Sequence, residues 1–243
     1  MGPVRKKRKL SYWLFVRLPI WFIAGSLLLV TLFKWVPVRY TPVMLKRAVQ
    51  LGTLDIRQEW VPLEKISPEI IKAVIAGEDN RFSSHHGFDW KEIGLMWKEH
   101  FDKGRKLRGC STLSQQTAKN VFTFGSPTFV RKGLECWWTL LIEWIWGKRR
   151  IMEVYLNVAE LGQGLFGVEA ACRKYWDIPS QAADRDRAAS LAIALPSPLR
   201  YAPDLPRTAY LQRRKAQILR IITQLSYPEW LNPVLPEDGS GPR

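Results

Sequence analysis

Two adjacent acids, Glu78 and Asp79, close an apolar run in the stretch AGEDNRFSSHHGFDW, which covers residues 76–90. Two aromatic residues, Phe82 and Phe88, follow them. The pKa of a carboxyl group rises at the edge of an apolar pocket, and a raised pKa suits a general acid or base. The stretch therefore indicates acid–base chemistry at Glu78. A solvated helix end is the alternative interpretation.

A second polar cluster, GCSTLSQQTAKN, begins at Gly109. Ser111 and Thr112 offer hydroxyl and backbone N–H groups at the start of a predicted helix, which is a natural site for an anion. Gln115 and Lys119 are four residues apart and therefore share a helix face. Such a face can hold sugar hydroxyls or a phosphate, and a capped helix with a polar face is the alternative.

The third cluster, RKGLE, combines two cations with a carboxylate. Arg131 and Lys132 stand four and three residues before Glu135, the spacings of ion pairs on a helix. Exposed pairs of this kind contribute little to stability. The same predicted helix continues into CWWTLLIEWIW, however, which is apolar enough to be buried or to touch a membrane. Two carboxylates and several cations fit displacement of an anionic leaving group from a sugar better than plain hydrolysis.

These clusters belong to five motifs whose order resembles that of the peptidoglycan glycosyltransferases of bacterial cell-wall synthesis. The first three are similar to E-D-x-x-F-x-x-H-x-G, G-x-S-T-x-x-Q-Q and R-K-x-x-E. KRRIMEVYLN at 148–157 is similar to K-x-x-I-x-E-x-Y-L-N, and RAASLAIALPSPLRY at 187–201 resembles the last motif. The resemblance covers residues 54–225 and is greatest to the monofunctional biosynthetic members of Gram-negative bacteria.

The resemblance implies that the chain polymerises lipid II into glycan strands and releases undecaprenyl diphosphate. Glu78 would be the general base toward the GlcNAc 4-hydroxyl, and Glu135 would orient the donor. Lys119, Arg131 and Lys132 would neutralise the diphosphate, with a divalent cation, Mg²⁺ or Mn²⁺, as a candidate and with no organic cofactor. The other implied substrate-binding residues are Asp79, Gly109, Ser111, Thr112, Gln115 and Gln116.

The implied fold is mainly α, with a lysozyme-like helical lobe and a small membrane-proximal jaw at residues 93–107. Hydrophobic periodicity independently predicts a largely helical body. The first predicted helix begins at Ser67–Pro68 and ends near Gly77. The further predicted helices cover 111–122, 128–146, 149–157, 168–175, 185–195 and 208–225. Residues 36–64 are predicted as a linker with a short β element, 65–226 as the glycosyltransferase domain, and 227–243 as a loosely ordered tail.

The N-terminus has the pattern of a membrane anchor. Residues 1–47 hold ten of the 37 Lys and Arg residues and no acid, so the remaining 27 basic residues nearly balance the 22 acids. The high net charge is therefore poor evidence for nucleic-acid binding. A basic tail at 1–11 precedes an apolar segment at 12–35, which predicts a single-pass inner-membrane protein with a cytoplasmic N-terminus and a periplasmic catalytic domain. A cleaved signal peptide is the alternative.

Several smaller features have plainer interpretations. Three widely spaced Cys predict buried thiols and no disulfide framework. His85 is predicted to form structural hydrogen bonds, and Tyr155 and Asn157 of the fourth motif, which contributes mainly helix packing, are predicted to be structural. Gly162, Gly164 and Gly167 are predicted to form a turn between helices with no preceding strand. The sequence departs from the family pattern at Cys110 and at 126–127, where a basic residue is common.

Two other classes of protein share some of these features. A membrane-anchored lysozyme-like hydrolase or lytic enzyme would need the acid but no cations for a diphosphate. An anchored scaffold would need neither. The expected partners are lipid II, the growing glycan strand and membrane lipid, with penicillin-binding or division proteins as further candidates.

Overall fold

The computed structural model describes residues 12–104, 109–125, 128–204, 208–225 and 228–234. The predicted basic tail, residues 105–107 of the predicted jaw and the departure at 126–127 lie outside these ranges. The chain divides into two compact units, residues 1–36 and 37–243.

The first unit contains one continuous helix. A π-helical turn, Trp13–Arg17, leads into α1, Leu18–Phe33. Together they form a helix of 21 residues with a mean hydropathy of 1.9, which is long and apolar enough to cross a membrane. The prediction of one apolar N-terminal helix is confirmed.

The second unit is mainly helical, as predicted. Its helices in the described ranges are α2 (Pro42–Leu51), α3 (Pro68–Glu78), α4 (Trp90–Lys103), α5 (Leu113–Phe122), α6 (Phe129–Ile145), α7 (Gly147–Val158), α8 (Val168–Trp176), α9 (Arg185–Ala194) and α10 (Ala209–Gln224). Short 3₁₀ turns occur at Leu63–Lys65, Ser180–Ala182 and Glu229–Val234.

Helix α3 lies in the core and ends at the first pair of acids. Ser67 caps it by accepting a hydrogen bond from the Glu69 N–H at 3.3 Å, and Pro68 occupies the first turn, where its missing N–H costs nothing. The helix packs against α9 and α10. Close packing is possible because α9 is rich in Ala: a Cβ added at Gly77 would lie 3.4 Å from the Cβ of Ala192. This packing fixes the direction in which α3 presents its C-terminal acids.

The segment 36–64 contains the predicted β element and also an unpredicted helix. Strand β1, Arg57–Gln58, is the β element. Helix α2 precedes it, with Thr41 as its cap and with Met44 and Ala48 buried. Pro42 falls within the predicted linker, but Pro is well suited to the first position of a helix.

The glycine-rich turn was predicted without a strand, and that prediction was wrong. Strand β2, Glu160–Gly162, pairs antiparallel with β3, Leu165–Phe166, and β3 pairs in parallel with β1. Gly164 makes the connecting turn with a φ of +66°. These strands are too short to show a period-2 pattern in the sequence.

Two helix starts and the chain end required smaller corrections. Helix α5 begins at Leu113, with Thr112 as its cap, and therefore starts two residues after the predicted start at 111. On α6, which begins at Phe129, Trp138 is buried, whereas Val130 near the start of the helix is 76% exposed. The segment 228–234, predicted to be loose, packs against the opening stretch, since the Trp230 Nε1 donates a hydrogen bond to the Ser83 Oγ at 3.2 Å.

The cysteines are free, as predicted, but they are not all buried. Cys172 is buried, and this burial raises the pKa of its thiol to about 12. Cys110 and Cys136 are half-buried. Cys110 lines a cavity described below, so that its side chain does not belong to the core.

Helix α4, in the predicted jaw, presents apolar side chains to the outside. Asp89 caps it, and none of its residues is buried. Leu95, Trp97 and Phe101 are 58%, 46% and 74% exposed, respectively. A helix with such a surface is typical of an interface with lipid or another protein.

A substitution at Gly167, which directly follows strand β3, tests the geometry of the β2–β3 hairpin by its effect on the stability of the fold. It has a φ of +83°, and an added Cβ would lie 2.8 Å from the Asn157 carbonyl oxygen. We expect Gly167→Ala to lower the free energy of unfolding by about 1–3 kcal/mol, measured by chemical denaturation. Gly133→Ala is the matched control, because Gly133 lies inside α6 with nothing within 4 Å; it should stabilise the protein by about 0.5–1 kcal/mol. Equal effects of the two substitutions would contradict this geometry.

Candidate active site

Glu78 lies at the C-terminal end of α3, half-buried, in the wall of a cavity of about 660 Å³. Its Oε2 accepts a hydrogen bond from the Gln116 Nε2 at 2.8 Å. Burial raises the pKa of the Glu78 carboxyl group, and the bond from Gln116 offsets part of that effect. The result is a carboxylate in a fixed position that is a stronger base than an ordinary exposed Glu.

Tyr155 fixes the orientation of Gln116. Its hydroxyl group donates a hydrogen bond to the Gln116 Oε1 at 3.1 Å, so that the amide N–H₂ group is directed toward Glu78. Burial, together with the negative charges of Glu78 and Asp79, raises the pKa of Tyr155 well above its usual value. The phenol therefore stays neutral and remains a donor. Tyr155 therefore has a structural role, as predicted. It affects Glu78 only through Gln116.

Arg214, on α10, is a site residue that the motifs did not indicate. Its Nη2 donates a hydrogen bond to the Gly77 carbonyl oxygen at 2.6 Å, and it lines the cavity with Glu78. Its positive charge lowers the pKa of Glu78, against the larger effect of burial. In the sequence Arg214 looks like one more basic residue of a basic helix, and only the packing of α10 on α3 brings it to the site.

The carboxylate of Asp79, the residue that follows Glu78, forms its contacts with other groups of the protein. Its carboxylate bonds the His85 Nε2 at 2.9 Å and accepts a hydrogen bond from the Leu113 N–H at 3.0 Å. The hydrogen-bonding role predicted for His85 is confirmed. Because Leu113 is the first residue of α5, Asp79 fixes the start of that helix next to α3. These contacts give Asp79 a positioning role. Asp79 also lines the cavity of Glu78, and the substrate-binding role expected of it stays a prediction.

The start of α5 divides the predicted cleft residues into two groups. Thr112 and Gln115 form a capping box, in which each side chain bonds the other residue's backbone N–H. Gln115 is only 7% exposed and lines neither cavity described here, so that it caps the helix instead of lining the cleft. Gly109, Ser111 and Thr112 do line the cavity of Glu78.

Glu135 is buried among cations on α6. It is 2% exposed, and it forms ion pairs with Arg131 and with the Lys132 Nζ, the latter at 3.4 Å. Stacking of Phe122 on Trp138, with ring centroids 4.3 Å apart, joins α5 to α6. The RKGLE motif is therefore a compact charge cluster, and none of its members lines either of the two cavities described here.

Lys119, on α5, lies within electrostatic range of both carboxylates. Burial lowers the pKa of Lys119, while the negative charges of Glu135 and Glu78 raise it. Within the described residues its ammonium group has no hydrogen bond and no ion pair. It lines a second cavity, of about 370 Å³. A half-buried cation without a partner among the described residues suits an anionic ligand.

The two cavities meet at Gln116 and Pro196, which line both. Glu78 lines the first of these cavities, and Lys119 lines the second. A base in one cavity can remove a proton while a cation in the other stabilises a departing anion. The described residues contain no group of three or more His, Cys, Asp or Glu that could hold a metal ion. The divalent cation stays a prediction.

Comparisons with known proteins agree with this chemistry. The family model described as Transglycosylase matches residues 47–223. The chain is 45% identical over 216 residues to the "Biosynthetic peptidoglycan transglycosylase" of Pseudomonas putida, covering 87% of this chain and 91% of that protein. It is 48% identical over 202 residues to the protein of the same name from Rhodospirillum centenum (82% and 86% covered). The corresponding protein of Caulobacter vibrioides is 43% identical over 208 residues (86% and 90% covered).

Proposed function

The chain belongs to the transglycosylase family and is a peptidoglycan glycosyltransferase, and from this premise we propose that its donor and acceptor are lipid-linked. The acceptor is lipid II, and the donor is the growing glycan strand carried on undecaprenyl diphosphate. The observation that carries this proposal is the presence of a fixed base, Glu78, and a cation, Lys119, with no partner among the described residues, in two cavities that share Gln116.

In the proposed reaction Glu78 removes the proton from the 4-hydroxyl of the GlcNAc of lipid II. The oxygen forms a bond to the anomeric carbon of the donor MurNAc as the bond from that carbon to the diphosphate oxygen breaks. The electron pair of the broken bond leaves with undecaprenyl diphosphate, and attack from the opposite face gives a β-1,4 link. Gln116 and Tyr155 hold the Glu78 carboxylate in line for this transfer.

In this proposal the cations stabilise the negative charge of the leaving group. Lys119 neutralises charge that develops on the diphosphate, and a preorganised cation in a water-poor site is effective because it needs no reorganisation. Glu135 holds Arg131 and Lys132 in a fixed cluster within electrostatic range of Lys119. Hydrolysis by a lysozyme-like enzyme would need the acid but would give this cluster no role.

We expect Glu78→Gln to reduce polymerisation of lipid II by about 10²–10⁴-fold. The amide keeps the size of the side chain but cannot accept the proton of the acceptor. The measurement is glycan length on a gel after incubation of the purified full-length chain with lipid II. Glu229→Gln is the control, since Glu229 is exposed and lies outside the cavities of Glu78 and Lys119.

Three outcomes of that assay would count against the assignment. Near-normal polymerisation by Glu78→Gln would exclude Glu78 as the base. Shortening of preformed glycan by the wild type, without growth, would favour the hydrolase. Absence of both activities in a folded wild-type chain would favour the scaffold.

The apolar N-terminal helix supports a role as a membrane anchor. We propose a single-pass protein of the inner membrane, with the N-terminus in the cytoplasm and the second unit in the periplasm, because the basic residues precede the helix. The exposed apolar side chains of α4 suit contact with the lipid surface on which the substrate lies. Penicillin-binding or division proteins are candidate partners at that surface.

We expect removal of residues 1–36 to leave a folded enzyme with lower activity on lipid II in vesicles, because the anchor confines enzyme and substrate to one surface. The division of the chain into two compact units at residue 36 makes this truncation feasible. Rates are to be compared at equal enzyme concentration in vesicles and in detergent, where the deficit should be smaller. A truncated form with full activity in vesicles would refute the role of the anchor.

A further inference from the structure

Lys46, on α2, lines the same cavity as Lys119 although it belongs to none of the five motifs. Its Nζ donates a hydrogen bond to the carbonyl oxygen of Gly125 at 3.1 Å. Gly125 follows the end of α5, the helix that carries Lys119. A contact between residues 79 positions apart in the chain therefore brings a second ammonium group to the cavity.

The charge of Lys46 is not compensated by a neighbouring acid. Arg47 also lines the cavity, but both oxygens of Glu160 lie 2.7 Å from its guanidinium nitrogens. Lys46 forms no ion pair with a carboxylate of the described residues, and the Gly125 carbonyl occupies only one of its three N–H donors. With Lys119, the cavity therefore holds two ammonium groups that can bind an anion.

A neighbouring cavity fits an apolar group attached to such an anion. It has a volume of about 720 Å³, and Leu45, Ala48 and Leu54 are among its lining residues. Phe124 lines both this cavity and the one that contains Lys46. A cationic cavity that borders an apolar one matches a diphosphate ester of a long hydrocarbon.

We propose that Lys46 is a second substrate-binding cation, which binds one phosphate of a polyprenyl diphosphate while Lys119 binds the other. This assignment rests on the proposed function and names a residue of the donor site outside the motifs. The cavity volume of about 370 Å³ is within the range of sites for small ligands. A diphosphate can offer one phosphate group to each of the two ammonium groups, whereas a monophosphate has a single phosphate group to offer.

The test is calorimetric titration of the full-length chain in detergent micelles with farnesyl diphosphate and with farnesyl monophosphate. Lys46→Gln should weaken binding of the diphosphate roughly tenfold, the effect of losing one charge-assisted hydrogen bond, and should change binding of the monophosphate little. Lys46→Arg should keep the affinity, because it keeps the charge and the donors. Lys65→Gln is the matched control, since Lys65 is exposed and lines none of the three cavities.

Unchanged affinity of a folded Lys46→Gln for the diphosphate would overturn the assignment. Equal losses for the two ligands would overturn it too, as would failure of the wild type to bind the diphosphate. If the Gln variant does not fold, Lys46→Met keeps the aliphatic stem, and the same comparison decides. Polymerisation of lipid II by the wild type is measured in parallel: its absence contradicts the proposed function, whereas normal polymerisation with unchanged Lys46→Gln binding contradicts only the role of Lys46.

Discussion

The fixed position of a half-buried carboxylate, Glu78, is the constraint on which the rest of the site depends. Burial makes Glu78 a better base, but it also disfavours the charged form that catalysis needs. The bond from Gln116 and the positive charges of Arg214 and Lys119 offset that cost. Helices α5 and α10 therefore both supply side chains that stabilise the charged form of Glu78 on α3. The Ala-rich surface of α9 lets α3 pack closely enough to place Glu78 near these side chains.

The same arrangement separates the two halves of the reaction. Gln116 lies between the cavity of the base and the cavity of Lys119. A proton taken up on one side and a diphosphate released on the other therefore do not compete for the same groups. The Asp79 carboxylate, although next in sequence to the base, is directed to His85 and to the start of α5. Adjacent acids thus have different tasks because their environments differ.

The sequence was sufficient to predict the helical class, the start of α3 at Ser67 and the clusters that contain Glu78, Lys119 and Glu135. These features depend on local patterns, such as capping residues and period-3.6 apolar faces. Arg214 and Lys46 were not predictable in this way. Each reaches the site through packing between helices that are distant in the chain, which leaves no local signal. The capping role of Gln115 was not predicted, because a polar residue on a helix face is equally compatible with lining a cleft.

The central claim is that neighbouring cations keep a half-buried Glu78 usable as a base. The pH dependence of lipid II polymerisation in Arg214→Gln tests this claim most directly. Glu78 must be deprotonated to act, and Arg214 lowers its pKa. Loss of that charge should therefore move the acid limb of kcat/KM to higher pH, relative to the wild type and to Arg213→Gln on the exposed side of α10. An acid limb at the same pH in all three proteins would contradict the account.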